Sequence, residues 1–425
     1  MAEFRRRAPR RLGKGSAPAF AAAFVMLALS SCGVLAEQGA GQRSADSPRT
    51  TAASAPASSA AAPEPAPVPE PTPGKGPACA AVRCTSVLVT GDMLVHAQLW
   101  DQARADAAAR GKPGLDFTPL LEGQRAYIGK SDVAVCHQET PVADPAGPFS
   151  AYPSFNVPPQ IVAAAKDVGY AACTTASNHT IDQGTTGLVR TLDALDAAGL
   201  KHTGSYRTEA ESQGILILET EAASIAVIEA TYGLNGQFPE HTWQVDLLDA
   251  PAMIAKARKA RELGADIVLG AMHAGDEYAG APNAQQQDTA HALVDSGEFT
   301  MVYGHHTHSV LPIENYKGTW IVYGLGNGVT ELSPWYVVNN EGLLVRAQFS
   351  QDAAGKWAAT DLAWVPSVIV RDPYRWCSVA VDAPQGPCAG AEADAGTRLR
   401  TRSVVESMGA AGAGARELII SDEGR

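Results

Sequence analysis

The sequence is short of positive charge, of long apolar runs and of internal repeats. Its 33 Lys+Arg face 45 Asp+Glu, a formal net charge of -12 over 425 residues. General nucleic-acid binding leaves a basic face as its footprint, so this balance argues against it and equally against adsorption to anionic lipid. No apolar run in the interior approaches the roughly 18 residues that span a bilayer, which excludes a polytopic membrane protein. Cysteine is present in an odd number, seven. Disulfides pair in twos and last only in oxidising surroundings, so one cysteine must stand apart.

The N-terminus supplies that exception. Arg5, Arg6, Arg7, Arg10, Arg11 and Lys14 face only Glu3, and an apolar stretch runs from Ala19 to Leu29, the layout of a signal peptide. It closes on Leu29-Ser30-Ser31-Cys32-Gly33, which resembles the lipobox of bacterial lipoproteins. That resemblance implies a lipoprotein signal peptide over 1–31 and an acylated Cys32. It also implies an extracytoplasmic protein anchored to the outer face of the bacterial cytoplasmic membrane; the alternative is plain secretion with an incidental cysteine. Without residues 1–31 the chain keeps 27 basic and 44 acidic residues, a formal charge of -17. Residues 32–78 hold nine prolines and, as large aliphatics, only Val34, Leu35 and Val68. Such a segment cannot bury enough apolar surface to offset its ordering entropy, so a disordered Pro/Ala-rich tether is expected. Residues 389–425, rich in Ala, Gly and charge, are expected to form a disordered tail.

Between these ends, short apolar runs alternate with helical patterns, which predicts a layered α/β domain. Strands are expected at 86–90, 132–136, 170–174, 215–219, 225–230, 267–272, 299–302 and 320–323. Helices are expected at 157–168, 186–198, 251–263 and 284–295, with Gly169, Gly199 and Gly264 as C-terminal stops. In open α/β sheets the carboxyl ends of strands build the binding crevice, and here those ends carry polar clusters. They are Gly91-Asp92 with His96, the run His137 to Pro141, the run Ser177 to Asp182, His273 to Tyr278, Gly304 to His308 and Gly324 to Asn327.

Seven of the ten histidines, at 96, 137, 179, 273, 305, 306 and 308, fall in these clusters. A His-x-His pair at a strand end sends two imidazoles to one side because side chains alternate with period two. Asp92 and Glu139 add carboxylates, giving the mixed N/O set that zinc, manganese or iron accept, one ion or two. Taken singly the signals are weak: Gly-Asp after a strand commonly caps a helix, and His96 or His305 fit a solvated or packed histidine. Asp182, three residues after His179, is placed either to orient that imidazole or to cap the next helix.

These motifs, in this order over residues 85–331, resemble the CapA family of bacterial poly-gamma-glutamate capsule-synthesis proteins, within the calcineurin-like metallophosphoesterase superfamily. The family's Gly-Asp matches Gly91-Asp92, its Asn-Leu-Glu-Thr-Pro matches His137 to Pro141, and its Ala-Asn-Asn-His-x-x-Asp-x-Gly matches Ala176 to Gly184. Its His-Trp-Gly-x-Glu-Tyr matches His273 to Tyr278, its Gly-x-His-x-His matches Gly304 to His308, and its Tyr-Ser-Leu-Gly-Asn matches Tyr323 to Asn327. Gln138, Ala274 and Leu311 depart from the pattern, and Leu94 stands where the superfamily's first motif has a histidine.

The resemblance implies a calcineurin-like sandwich over 79–331; beyond it, strand patterns at 343–349, 356–365 and 368–370 predict a small C-terminal β extension over 332–388 that covers an edge of the sheet. It implies Asp92, Glu139, Asn178, His273, His306 and His308 as ligands of one or two divalent ions, Glu139 bridging. His179 with Asp182 would assist the leaving group. His96, His137, Glu277, His305 and Asn327 are possible additions to the site. The expected function is metal-dependent hydrolysis of an anionic capsule or wall polymer, with a phosphorylated or gamma-glutamyl group as substrate and other capsule-synthesis proteins as partners. The rival readings are a non-catalytic polymer-binding or assembly factor and a phosphoesterase of small phosphate esters. With Cys32 set aside, Cys79–Cys84, Cys136–Cys173 and Cys377–Cys388 are the pairing proposed among the fifteen that six cysteines allow, a role for Cys136 at the metal site being the alternative. Trp357, Trp364, Tyr374 and Trp376 of the extension are expected in the core rather than on a polymer-binding surface.

Overall fold

In the computed structural model, which describes residues 76–332 and 336–422, two β-sheets are stacked between two layers of helices. The expected signal peptide, Cys32 and residues 32–75 of the expected tether lie outside the described residues. In the first sheet the strand Arg83–Met93 is central. On one side it runs parallel to Val133–Gln138, followed by Ala172–Thr174 and Lys201–Thr203. On the other it runs antiparallel to Glu341–Gln351, followed by Trp357–Val370 and Arg375–Ser378. The second sheet is built on four parallel strands, Ser224–Thr231, Ile267–His273, Met301–His305 and Thr319–Val322, with Leu216–Glu219 and Ile313–Tyr316 at its antiparallel edges.

Period-two alternation explains the layering. Val87, Val89, Val133 and Val135 face Ile225, Val227, Ile267 and Leu269 across the space between the sheets. The alternate residues Leu88, Ala134 and Cys136 pack under the helices Ala97–Ala109, Gln160–Val168 and Gly184–Ala198 through Leu99, Ile161, Leu188 and Leu192. Ala226, Ile228, Val268 and Met272 pack under Ala250–Glu262 and Ala284–Asp295 through Met253, Ala257 and Leu293. Strands buried on both faces read as unbroken apolar runs, which is why they are visible in the sequence. Gly169 and Gly199 end their helices in the left-handed region, at φ 117° and 73°. The first of these helices starts at Gln160 rather than at the expected 157, because Val157 and Pro158 each precede a proline and are disfavoured in the helical region.

One expectation for the C-terminal part is corrected. The strands of residues 332–388 continue the first sheet edge to edge, and Trp357, Trp364 and Trp376 are buried in its core. Residues 389–425 are not a disordered tail where described. Ala391–Val405 is a helix, Arg416–Glu417 pairs with Ala363 and Trp364, and Val405, Ala410 and Leu418 are buried. Arg400 pairs with the buried Glu341 and Arg402 with Glu417. The helix escapes sequence reading because its buried stripe is Thr397, Thr401 and Val405, small and mostly polar residues that carry no apolar period.

The three disulfides Cys79–Cys84, Cys136–Cys173 and Cys377–Cys388 are formed. Cys136 and Cys173 are direct partners in adjacent parallel strands, so Cys136 is engaged and does not join a metal site. Among the described residues no helix is long and apolar enough to cross a membrane.

Candidate metal centre

The carboxyl ends of the parallel strands of both sheets meet at one place, and the polar clusters meet with them. Asp92 lies in the first strand, where Gly91 allows a backbone approach that any side chain would block. A Cβ there would fall 2.2 Å from the Gly326 carbonyl oxygen, which instead accepts the Asp92 N–H at 3.0 Å. Glu139 follows the next strand, Asn178 and His179 the third, His273 ends the central strand of the other sheet, and His305 to His308 follow Met301–His305. Asp92, Glu139, Asn178, His273, His306 and His308 are all buried. His306 and His308 both adopt left-handed backbone, at φ 85° and 50°. Their shared direction therefore comes from a strained turn rather than from strand alternation, and such a conformation costs about 1–3 kcal/mol per residue.

Asp92 organises the cluster. Its carboxylate accepts from His305 Nδ1 at 2.7 Å and from the His306 backbone N–H at 3.0 Å, and His308 Nδ1 lies 3.3 Å away. His308 Nδ1 also donates to Asn327 Oδ1 at 3.0 Å, which turns its Nε2 toward Glu139 Oε1 at 3.6 Å. His273 Nε2 donates to Asn178 Oδ1 at 2.8 Å, and its Nδ1 shares a hydrogen bond of 2.9 Å with His137 Nε2.

The protonation pattern suits a cation. Burial alone would push the Asp92 carboxyl up, but hydrogen bonds from His305 and His308 outweigh it and hold Asp92 well below the ordinary carboxylate range. Glu139 lacks such donors; burial, opposed by His308 and aided by the Asp92 charge, pushes it up to about 7. Burial, then the charge of His308, lowers His306 to about 4. Burial, with His306 and His137 adding to it, depresses His273 well below the usual value. Imidazoles held neutral keep a lone pair for a metal. His308 is the exception: burial opposes its charge, but Glu139 and Asp92 raise it to about 9.

Both carboxylate oxygens of Glu139, together with His305 Nε2 and His306 Nδ1, are buried without a hydrogen-bond partner. A buried polar atom left unpaired costs about 1–3 kcal/mol, more when charged. A divalent ion satisfies carboxylate oxygens and imidazole lone pairs together, so the residues fit one. Two groups bring ligand atoms within 4.8 Å of one another: Asp92, Glu139 and His308, and Asp92, His137 and His305. The first contains the unpartnered Glu139 carboxylate. His137 and His305 are stacked, 4.1 Å apart with 17° between their planes. Because an imidazole binds a metal in its own plane, two such rings cannot both aim at one ion. His305 braces Asp92 through Nδ1, and His137 braces His273.

Around the centre stand the remaining expected residues. His179 Nδ1 lies 2.7 Å from Asp182 Oδ2, which also accepts from the Phe155 N–H at 2.8 Å. Asp182 therefore faces His179 and does not cap the following helix, whose start has no side-chain cap. Burial lowers the pKa of His179, but Asp182 and Glu139 reverse the effect and raise it. Phe155 meets the rings of both His179 and His96 edge-on. His96 lies outside both ligand groups and accepts weakly from the Glu331 N–H, at 3.4 Å. Glu277 is exposed on the rim, beside Tyr278.

Three participants escape sequence reading. Glu229, fully buried, accepts from the Ala176 N–H at 2.6 Å and lies 3.0 Å from His137 Nδ1. The signal that could reveal it is an acid inside the apolar run 225–230. Tyr232 packs over His306 with ring centres 4.5 Å apart, and Asn235 accepts from Asn178 Nδ2 at 3.2 Å. Both lie in a loop with no motif of its own.

Comparison with known proteins shows the family. The family model "Bacterial capsule synthesis protein PGA_cap" matches residues 86–331. The chain is 29% identical over 203 residues to the PGA biosynthesis protein CapA of Bacillus subtilis (strain 168), covering 46% of this chain and 52% of that one. It is 29% identical over 175 residues to the capsule biosynthesis protein CapA of Bacillus anthracis, covering 40% and 42%. The chain thus spans about half the length of the curated relatives it matches. Among solved structures, the calcineurin-like phosphoesterase YfkN from Bacillus subtilis is similar over 76% of this chain and 98% of its own. The TM-score there is 0.43 and the identity 14%.

Proposed function

The chain belongs to the bacterial capsule synthesis protein family PGA_cap, and from that premise we propose a metal-dependent hydrolase that acts on a capsule or cell-wall polymer outside the cytoplasm. The observation that carries this reading is the buried Glu139 carboxylate with two unpartnered oxygens beside Asp92 and neutral imidazoles. Asp92, Glu139, Asn178, His273, His306 and His308 would hold one or two ions of zinc, manganese or iron. Such ions supply Lewis acidity toward an acyl or phosphoryl oxygen and acidify water.

The chain's own residues do the rest. Asp182 engages His179 Nδ1 and stabilises the protonated ring. His179 thus keeps Nε2 to donate a proton to the departing oxygen or nitrogen. Asp92 is fixed by His305 and His308, and His273 by His137, so the ligands are positioned before substrate arrives. Phe155 walls off His179 and limits water on that side. Acylation at Cys32 would tether the domain to the membrane, where other capsule-synthesis proteins are its natural partners.

Metal analysis of the purified protein, followed by assays on gamma-glutamyl peptides and phosphodiesters, tests the proposal. Bound metal with turnover that His179→Ala and His306→Ala abolish is expected. No transition metal bound under any loading condition would overturn it. Bound metal without turnover on either class would leave a binding or assembly role.

A further inference from the structure

The segments that build the centre and its mouth contain no lysine or arginine. They are residues 91–103, 131–165, 167–189, 231–255, 262–316, 318–332 and 336–345. Basic side chains from elsewhere bond to these segments; among the described residues they include Arg125, Arg190, Lys256, Arg371 and Arg400, and each of these is held in an ion pair or hydrogen bond. Arg190 donates to the Val142 carbonyl and to Asn156, Arg371 pairs with Glu331, and Arg400 pairs with Glu341. The charges these segments do expose are acidic, among them Asp276, Glu277 and Glu240.

Exposed aromatic rings occupy the same mouth. Tyr232 lies over His306, and Tyr278 lies 6.1 Å from His308. The two are 40% and 49% exposed. Phe238, 91% exposed, follows Gln237, whose amide donates to Asp182. Tyrosine gives a large, rigid, amphipathic contact at little conformational cost.

We propose that this mouth is a carbohydrate subsite, which takes the uncharged, hydroxyl-bearing rings flanking the scissile group and turns away a chain of free carboxylates. The inference rests on the proposed centre for where the scissile group sits, but not for how it is cleaved. A gamma-linked glutamate chain carries one carboxylate per residue, and each flanking carboxylate would meet Asp276 or Glu277, while Arg371 and Arg400 are already paired with Glu331 and Glu341. Like charges placed face to face oppose binding. Ions at the buried ligands would attract one anionic group, but their field fades beyond about 8–10 Å in solution. Sugar rings ask for the opposite environment: apolar faces for their C–H surfaces and carboxylates to accept from their hydroxyls. A polymer bearing an acyl or phosphoryl group on a sugar satisfies both the centre and its rim.

Equilibrium binding to the full, manganese-loaded protein at 0.15 M salt tests this. The probes are cellotetraose, maltotetraose, tetra-N-acetylchitotetraose and a gamma-linked glutamate decamer. At least one tetrasaccharide should bind ten-fold or more tightly than the decamer. Phe238→Ala and Tyr278→Ala should each weaken it three-fold or more at unchanged metal content. Glu277→Lys should strengthen the decamer but not the sugar. The proposal is overturned if the decamer binds as tightly as every sugar, or if no sugar distinguishes wild type from the aromatic variants. It is also overturned if those variants alter only the oligomeric state, which would make the rim a protein contact. Failure to hydrolyse anything would defeat the proposed activity and leave this binding result standing.

Discussion

The Glu139 carboxylate stands 3.6 Å from His308 Nε2, beyond hydrogen-bonding reach, and no other donor serves either of its oxygens. Burial makes that carboxylate costly, and a divalent ion would remove the cost. Adding manganese or zinc at about 100 times its dissociation constant should therefore stabilise the protein by about 2.7 kcal/mol, a rise of roughly 4 °C in Tm for a body of this size. Glu139→Gln should lose that rise. The metal-free variant should be at least as stable as the metal-free wild type, because the buried charge is gone. Differential scanning calorimetry with and without chelator checks both halves.

Asp182 acts through His179, so its loss should separate chemistry from metal binding. Asp182→Asn is expected to lower kcat by about 100-fold or more while leaving metal content unchanged. Metal analysis beside steady-state kinetics reads the split. A parallel loss of metal would instead make Asp182 part of the scaffold that holds the ligands.

His96 should make the metal-free protein sensitive to acid. Burial, with the charge of His308 adding to it, lowers its pKa from 6.5 to about 4. Its Nδ1 accepts from the Glu331 N–H, so a proton there would set two donors face to face. A histidine whose folded pKa lies below its unfolded value contributes stability that is present above pH 6.5 and lost as pH falls from 6.5 toward 4. Discounted for its partial exposure, the loss attributable to His96 is roughly 1–2 kcal/mol. Urea titrations in chelator at pH 7.5 and 4.5 should show His96→Gln losing less stability than wild type by that amount.

Leu418 joins the C-terminal segment to the core, where it is buried and its N–H donates to the Trp364 carbonyl at 2.9 Å. Leu418→Ala should cost about 2–5 kcal/mol, read as a lower urea midpoint at unchanged slope. An unchanged midpoint would return residues 389–425 to the status of a dispensable tail.

Much of the candidate centre was legible because each proposed ligand follows an apolar run. Asp92, Glu139, Asn178, His273, His306 and His308 all stand just past, or at the end of, a strand buried on both faces, and such strands announce themselves without tertiary information. His137 and His305 were legible as candidates but not as supports, since only the stacking of their rings excludes a shared ion. Glu229 and Tyr232 stayed hidden because neither belongs to a motif, and their importance comes from lying against His137 and His306.

By itself the sequence determined the residue types of the centre, their order, the alternation of strand and helix and the absence of cations from the connecting segments. These are properties of local pattern. Tertiary structure alone decided which imidazoles line the candidate centre and which brace its carboxylate, and that the last helix and strand join the first sheet. Those outcomes depend on contacts between residues far apart in the chain, with no periodicity to foretell them: Asp92 with His305, Glu229 with His137, Arg400 with Glu341.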